Sequence, residues 1–508
     1  MGYTKNIVIW GLSTYNWLWV PLAEKLKSQL GSRIHFVSGK PQVIEYLKGQ
    51  DRSGVIDTLT DLSRFYFEYD KISDSYEDIT KTARAYEDKY ETLVVDVLQT
   101  DRHLGRGFFS GGTNHPKSEL SNKAAYLKSL NIFNKIIKFW EGYFDRHKPD
   151  LIIGVAAGIV GKSCSIVARR RGIPVRSAIQ AKYQSYFCWV SGEYYLIPDL
   201  ERRFKLIEDY KEYIDPQELS KMKRLPLAEQ VFKKYFGYRS TLVLVRKIIG
   251  RLKSHIYYKY KRITTMGNYK LFDDIKYIYR VYRDMRRLDR LKIKEAKGLA
   301  GKSYIFYPLH TEPESALGML SPEFNEQLAL IELLAKNLPA GTFLVIKEHL
   351  SAIGRRPRDF YSTILEIPNV IMVHPYSYAL DMAREAKAVV VITSSLGSEA
   401  AILGIPAISL GLHNNYNFLP HVHLVESWAE IRPLLGRLCK EDTEEEKKIR
   451  REDGMRYLAA LKSSSVDMGF SNYGSKKREP ATEKEVEVLY SHLQKSLGLV
   501  QRETLKIG

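Results

Sequence analysis

Residues 388–410 read AVVVITSSLGSEAAILGIPAISL. The opening AVVVIT is a run of apolar residues without alternation, as expected of a parallel strand buried on both faces. Hydroxyls and a glycine follow, then a predicted helix over Ser398–Leu403 that stops at Gly404. Gly-Ile-Pro leads into a further strand, Pro406–Leu410. Strand, hydroxyl-rich turn, helix and strand make one βαβ unit, the building block of a doubly wound sheet. Working outward, Ser303–Tyr307 (SYIFY), Thr342–Lys347 (TFLVIK) and Val370–Val373 are predicted as strands, and Asn325–Asn337 and Asp381–Ala386 as helices. The domain they form spans 298–435.

The same alternation opens the chain. Residues 5–10 (KNIVIW) and 33–38 (RIHFVS) read as buried strands around a helix at Trp17–Leu30. Residues 56–100 read as mixed, rich in Tyr and Asp/Glu and mainly helical, and 123–146 as a long amphipathic helix. HKPDLIIGVAAG (147–158), a helix over Gly161–Arg171 and the strand in GIPVRSA supply a second βαβ unit. Residues 1–200 are therefore expected to form one Rossmann-like domain, 201–297 a basic helical insertion and 436–508 a helical tail. Two such domains leave a cleft, and open α/β sheets bind ligands beyond the carboxyl ends of their strands.

At 508 residues the chain exceeds what one core usually organises, and 44% apolar content excludes wholesale disorder. Cys164, Cys188 and Cys439 lie too far apart in sequence for a disulfide scaffold, which suits a reducing cytoplasm. The start shows no secretory pattern, Asn6 stands where a myristoylation signal needs Ser or Thr, and no stretch of 18 apolar residues is found. The net charge of +19 is concentrated: between Arg239 and Lys302, 19 Lys/Arg face five acids. Apolar runs interleave with these cations, a composition suited to an anionic membrane surface. Nucleic acid would be drawn by the same charge, but no nucleic-acid motif accompanies it; solvated helices or a self-association surface are the plainer alternatives.

Three stretches place chemistry at strand ends. In Thr393-Ser394-Ser395-Leu396-Gly397-Ser398-Glu399 the hydroxyls and glycine sit where the unpaired N–H groups of a helix N-terminus favour phosphate. Glu399, one turn in, is placed to accept from ribose hydroxyls; a serine-capped structural helix is the alternative. Lys347-Glu348-His349, with Gly354-Arg355-Arg356 after it, is either an anion site or a solvated basic loop. Pro308-Leu309-His310-Thr311-Glu312-Pro313-Glu314-Ser315 sets two carboxylates around a proline, as acid–base candidates or as an exposed turn.

Together these stretches resemble the capsule polysaccharide biosynthesis family, which includes retaining β-Kdo transferases of the GT-B fold. Glu312-Pro313-Glu314 stands for that family's Gln-Pro-Glu, Lys347-Glu348-His349-Leu350 for its Lys-Glu-His-Pro, and Thr393–Pro406 for its nucleotide loop. The likeness is firm over about 300–412; Glu312 and Leu350 depart from the pattern. It implies an α/β, GT-B type fold, two Rossmann-like domains facing a cleft, with a CMP-activated acid sugar held by the C-terminal domain. Ser394, Ser395 and Gly397 would meet the phosphate and Glu399 the ribose, with Ser398 also in the nucleotide-binding set. His349 and Lys347 would face the leaving phosphate beside His310, and Glu314 would be the catalytic carboxylate. No metal cofactor is expected, since cationic and N–H donors can neutralise a departing phosphate.

A retaining transfer would use a second carboxylate from the N-terminal domain. Asp101, before the glycine-rich LGRGFFSGGTNHPKS, is the candidate nucleophile, with Arg102 to hold the sugar's carboxylate; a surface loop is the plain reading, and Asp199 a weaker candidate. Ala156–Ser163 (AAGIVGKS) approaches a phosphate-binding loop, but Ala156 replaces its first glycine. His421 and His423, with His413 near in sequence, find no carboxylate or cysteine to complete a metal set. The expected function is a glycosyltransferase moving a Kdo-like acid sugar from a CMP donor to a lipid-linked or glycan acceptor in bacterial surface polysaccharide synthesis. It would work in the cytoplasm, peripheral to the inner face of the membrane and bound there through 239–297, with no nucleic-acid partner. The alternatives are a transferase using a UDP-sugar, GDP-sugar or CDP-alcohol donor, and a non-catalytic glycan- or membrane-binding assembly factor.

Overall fold

The computed structural model describes residues 5–11, 16–62, 65, 72–101, 126–155, 157–215, 240–260, 271–290, 296–312, 314–324, 326–468 and 479–498. Two sheets organise it. The first contains β1 (Asn6–Trp10), β2 (Arg33–Ser38), β3 (Thr58–Asp61), β4 (Leu151–Gly154), β5 (Val175–Gln180) and β6 (Tyr186–Ser191). The second contains β7 (Ser303–Pro308), β8 (Thr342–Lys347), β9 (Val370–Val373), β10 (Ala388–Val391), β11 (Ala407–Ser409) and β12 (Val422–Leu424), all parallel, in the order β12-β11-β10-β7-β8-β9. These are two Rossmann-like layers, with strand interiors such as Ile7–Ile9 and Ala388–Ile392 fully buried.

The tail is not a separate unit. Its two-residue strand β13 (Val466–Asp467) pairs antiparallel with β6 and becomes the edge of the first sheet, whose order is β13-β6-β5-β4-β1-β2-β3. Helix Glu483–Leu497 lays Val486, Leu489, Tyr490 and Leu493 against Trp19 and Trp189 in the core of that domain. The described part of the tail, expected to be helical with a looser patch around Ser463–Pro480, thus closes the first sheet with a strand from that patch. Residues 56–100 likewise include β3, and β12 adds a strand beyond Pro406–Leu410.

Among its described residues the insertion carries, after the short helix Leu200–Leu206, two long helices, Thr241–Tyr260 and Leu271–Arg290. The second buries Ile278, Val281, Met285 and Leu288 on one face of the second sheet. At Gly354 (φ +83°) any Cβ would stand 2.7 Å from a Val281 methyl and 2.9 Å from its amide nitrogen, so helix and loop meet backbone to side chain. The insertion therefore buttresses the loop carrying Arg355 and Arg356.

Candidate active site at the carboxyl edge of the second sheet

Chain order runs outward from β7 through β8 to β9, then crosses to β10 and runs outward the other way, so the switch point lies between β7 and β10. A crevice opens there in folds of this kind. The loops after β7, β8 and β10 are the three stretches singled out in the sequence. They meet: Thr393 N–H donates to His310 Nε2 at 3.2 Å, joining the two strands across the switch point. That acceptor role places the proton on Nδ1, a buried atom with no hydrogen-bond partner. Burial, followed by the charges of His349, Arg356 and Lys182, pushes His310 down to about 3. It is a neutral N–H donor at neutral pH.

Arg356 fixes the frame. Its guanidinium donates to Glu348 (Nε 2.9 Å, Nη2 3.0 Å), to Glu312 (Nη1 2.6 Å) and to the His310 carbonyl (Nη2 2.6 Å). Tyr361 donates to Glu348 at 3.1 Å, and the Gln327 side chain brackets His310 by accepting from its N–H and donating to its carbonyl. Burial works against the Arg356 charge; Glu348 and Glu312 outweigh it. Arg356, expected to offer a cation to an anion, is instead consumed by two buried carboxylates. Glu312 is a brace and not an acid–base group, while Arg355 lies over the Tyr277 ring of the buttressing helix.

His349 Nδ1 accepts from Ser351 N–H at 3.3 Å and lies 2.9 Å from Thr311 Oγ1, so its proton sits on Nε2. Solvent still reaches the ring, yet the surrounding protein, with Lys347 next, pushes it down to about 4. His349 is therefore neutral at neutral pH, a donor and not a cation.

The helix after β10 begins at Ser395, three residues earlier than read from the sequence, with Ser394 as N-cap and left-handed Gly404 (φ +68°) as C-cap. Ser394 Oγ caps nothing and has no partner. Ser395 is exposed at the mouth. Gly397 and Ser398 lie within the helix and are buried; the Tyr416 hydroxyl fills the space a Gly397 side chain would need. Both are packed within the helix. Glu399 is half-buried, and that burial raises its carboxyl to about 7 against the pull of Arg384.

The N-terminal domain contributes a residue that no motif announced. Lys182 stands in the β5–β6 turn in a left-handed conformation (φ +57°) and donates to the Thr393 carbonyl at 3.3 Å. Lys182 is exposed to solvent, yet the protein around it pushes its ammonium down to about 8 while the Glu314 carboxylate pulls the other way. Glu314, half-buried, is the N-cap residue of helix Ser315–Leu320. Further along that helix, a Cβ on Gly318 would collide with the Gln99 carbonyl, so the domains touch there without a side chain between them. Tyr194 stacks on His413 at 3.7 Å, and Ile197 N–H donates to Asn415 Oδ1 at 2.8 Å, completing the contact.

The remaining residues singled out in the sequence have the following surroundings. Asp101 is buried and its carboxylate accepts the Ile159 N–H at 3.1 Å, filling the N-terminus of helix Gly158–Arg170. Arg102 lies outside the described residues. Asp199 is on the surface beside Arg202 at 3.5 Å. Lys162 of the loop-like AAGIVGKS is buried against Glu193 and is not presented to a phosphate. His421 is buried with Nε2 3.0 Å from the Ala401 carbonyl. Among the described residues no group of three or more His, Cys, Asp or Glu could hold a metal ion.

The family model for capsule polysaccharide biosynthesis proteins matches residues 212–418. No curated protein matches the chain. Among solved structures, MnaA from S. aureus with UDP is 12% identical over 98% of each chain, with a TM-score of 0.31. UDP-GlcNAc 2-epimerase from Neisseria meningitidis is 12% identical over 97% of this chain and 100% of its own, at 0.29. The β-Kdo 2,7 transferase KpsC from Thermosulfurimonas dismutans is 14% identical over 58% of this chain and 79% of its own, at 0.27. The family match takes in the helices Thr241–Tyr260 and Leu271–Arg290 of the insertion as well as the loops after β7, β8 and β10, and residues 212–418 are in this sense similar to capsule polysaccharide biosynthesis proteins.

Proposed function

We propose that the protein is a glycosyltransferase that moves an acid sugar of the Kdo type from a CMP-activated donor to a lipid-linked or glycan acceptor in capsule polysaccharide synthesis. The family match over residues 212–418 supports the pathway. The observation that carries the chemistry is the junction of His310, Thr393 and Lys182, where a neutral N–H donor, a helix N-terminus and a cation from the opposite domain converge. A leaving nucleoside monophosphate needs its growing negative charge neutralised, and fixed donors in a desolvated crevice do this well. His310 Nδ1–H, His349 Nε2–H and the N–H groups at Ser395 and Leu396 would receive the phosphate, with Lys182 and Lys347 supplying positive charge. Glu399 would take the ribose hydroxyls. Glu314, whose charge acts on Lys182, would act at the sugar carbon or on the acceptor hydroxyl.

The reading predicts which nucleotide stabilises the fold. In a thermal-shift titration against CMP, UDP, GDP, CDP and ATP, CMP at a hundred times its Kd should add about 2.7 kcal/mol, a rise of a few degrees in Tm. Glu399→Ala should abolish that rise. A response to UDP or GDP alone would move the donor to another nucleotide sugar, and silence with every nucleotide would refute a nucleotide-sugar transferase.

A further inference from the structure

Helix Thr241–Tyr260 has two apolar faces, and the fold uses one of them. Leu244 is buried and Ile248 is partly buried in the core that holds Ile278, Val281, Met285 and Leu288 of the second helix. A second row, Leu242, Val245, Ile249, Leu252, Ile256 and Tyr260, is exposed, with Leu242 and Tyr260 at 81% and Ile256 at 67%. The steps of three and four residues keep these six within an arc of about 80° along a helix about 30 Å long. Exposed apolar side chains are ordinary when scattered; a continuous row marks a surface that meets something.

The charges beside the row identify the partner. Exposed Arg246 and Lys253 flank it on one side and Lys259 on the other, and the helix contains no acidic residue. We infer that this helix docks the protein on an anionic lipid surface, lying in the plane of the headgroups with Leu242, Val245, Ile249, Leu252, Ile256 and Tyr260 inserted and Arg246, Lys253 and Lys259 among the phosphates. Among the described residues no helix is long and apolar enough to cross a membrane, so the contact is a surface one. A second copy of the chain would set cation against cation along the whole seam, and a nucleic acid would leave the apolar row without a function. The basic segment thus divides: Leu271–Arg290 faces inward and braces the Arg355–Arg356 loop, and Thr241–Tyr260 faces outward.

The test is sedimentation of the full chain with vesicles of phosphatidylcholine alone, or of phosphatidylcholine and phosphatidylglycerol in equal parts. The protein should sediment with the anionic vesicles only, less so as salt rises. Ile249→Glu with Ile256→Glu should weaken binding at least about tenfold, and Arg246→Glu with Lys253→Glu should do so to a similar extent at low salt. Because these residues are exposed, Tm should stay unchanged in both variants. Equal sedimentation of all three proteins would overturn the proposal. So would loss with the charge reversals alone, which would mean adsorption by charge. Light scattering that showed a vesicle-indifferent dimer, broken by the Ile249→Glu and Ile256→Glu variant, would assign the row to self-association instead.

Discussion

Each half of the molecule sets a helix N-terminus at the switch point of its sheet, and the two are treated in opposite ways. In the first, helix Gly158–Arg170 starts after β4, and the chain fills its end with its own carboxylate: Asp101 accepts the Ile159 N–H, and Gly158, at φ +71°, would bring a Cβ to 3.2 Å of that oxygen. The nearby Lys162 is neutralised by Glu193. In the second, helix Ser395–Leu403 starts after β10 with an uncapping Ser394, an unpartnered His310 Nδ1 and a lysine reaching in from the other domain. The same local geometry makes a closed structural joint in one place and, in the other, leaves donors that the proposed function assigns to a phosphate. What decides between them is whether a carboxylate of the chain has already taken the donors.

The largest effect should follow from removing the brace of the open end. Arg356→Leu leaves Glu312 and Glu348 buried without their partner and should cost about 3–5 kcal/mol in denaturant unfolding. A loss below about 1 kcal/mol would mean the three loops are held by packing alone. Next in size, Lys182→Met should lower release of CMP from a CMP-acid-sugar donor about 100-fold or more, with Tm unaltered. Unchanged turnover would remove the opposite domain from the chemistry. Smallest, Asp101→Asn should weaken the filled terminus by about 1–2 kcal/mol and leave turnover within a few-fold. If turnover collapsed while stability held, Asp101 would be the nucleophile and the two ends would be more alike than their hydrogen bonds suggest.

The parallel strands other than β3 and β12 were legible because burial on two faces writes a continuous apolar run, as in Thr342–Lys347 and Ala388–Val391. The three crevice loops were legible because each directly follows such a strand. The start of the second helix was misplaced by three residues, since Ser395, Leu396 and Gly397 carry no strong helical preference of their own. Arg356 read as a ligand because its partners, Glu348 and Glu312, are 8 and 44 residues away and only folding brings them together. Lys182 could not be read at all: it belongs to a turn without a motif, and its meaning comes from the approach of a domain 211 residues later. β13, two residues long, leaves no periodic trace.

That short strand has a consequence for how the protein is made. The polypeptide leaves its first Rossmann-like layer after β6, builds the whole second layer, and returns with Val466–Asp467 and the helix Glu483–Leu497. During synthesis the second layer is complete while Trp19 and Trp189 still wait for Leu489 and Tyr490 to cover them. The usual order, in which the earliest part of a chain finishes first, is reversed here. The half of the protein that emerges first from the ribosome is the last to be sealed, and a nascent chain halted before residue 483 would carry a finished crevice attached to an open core.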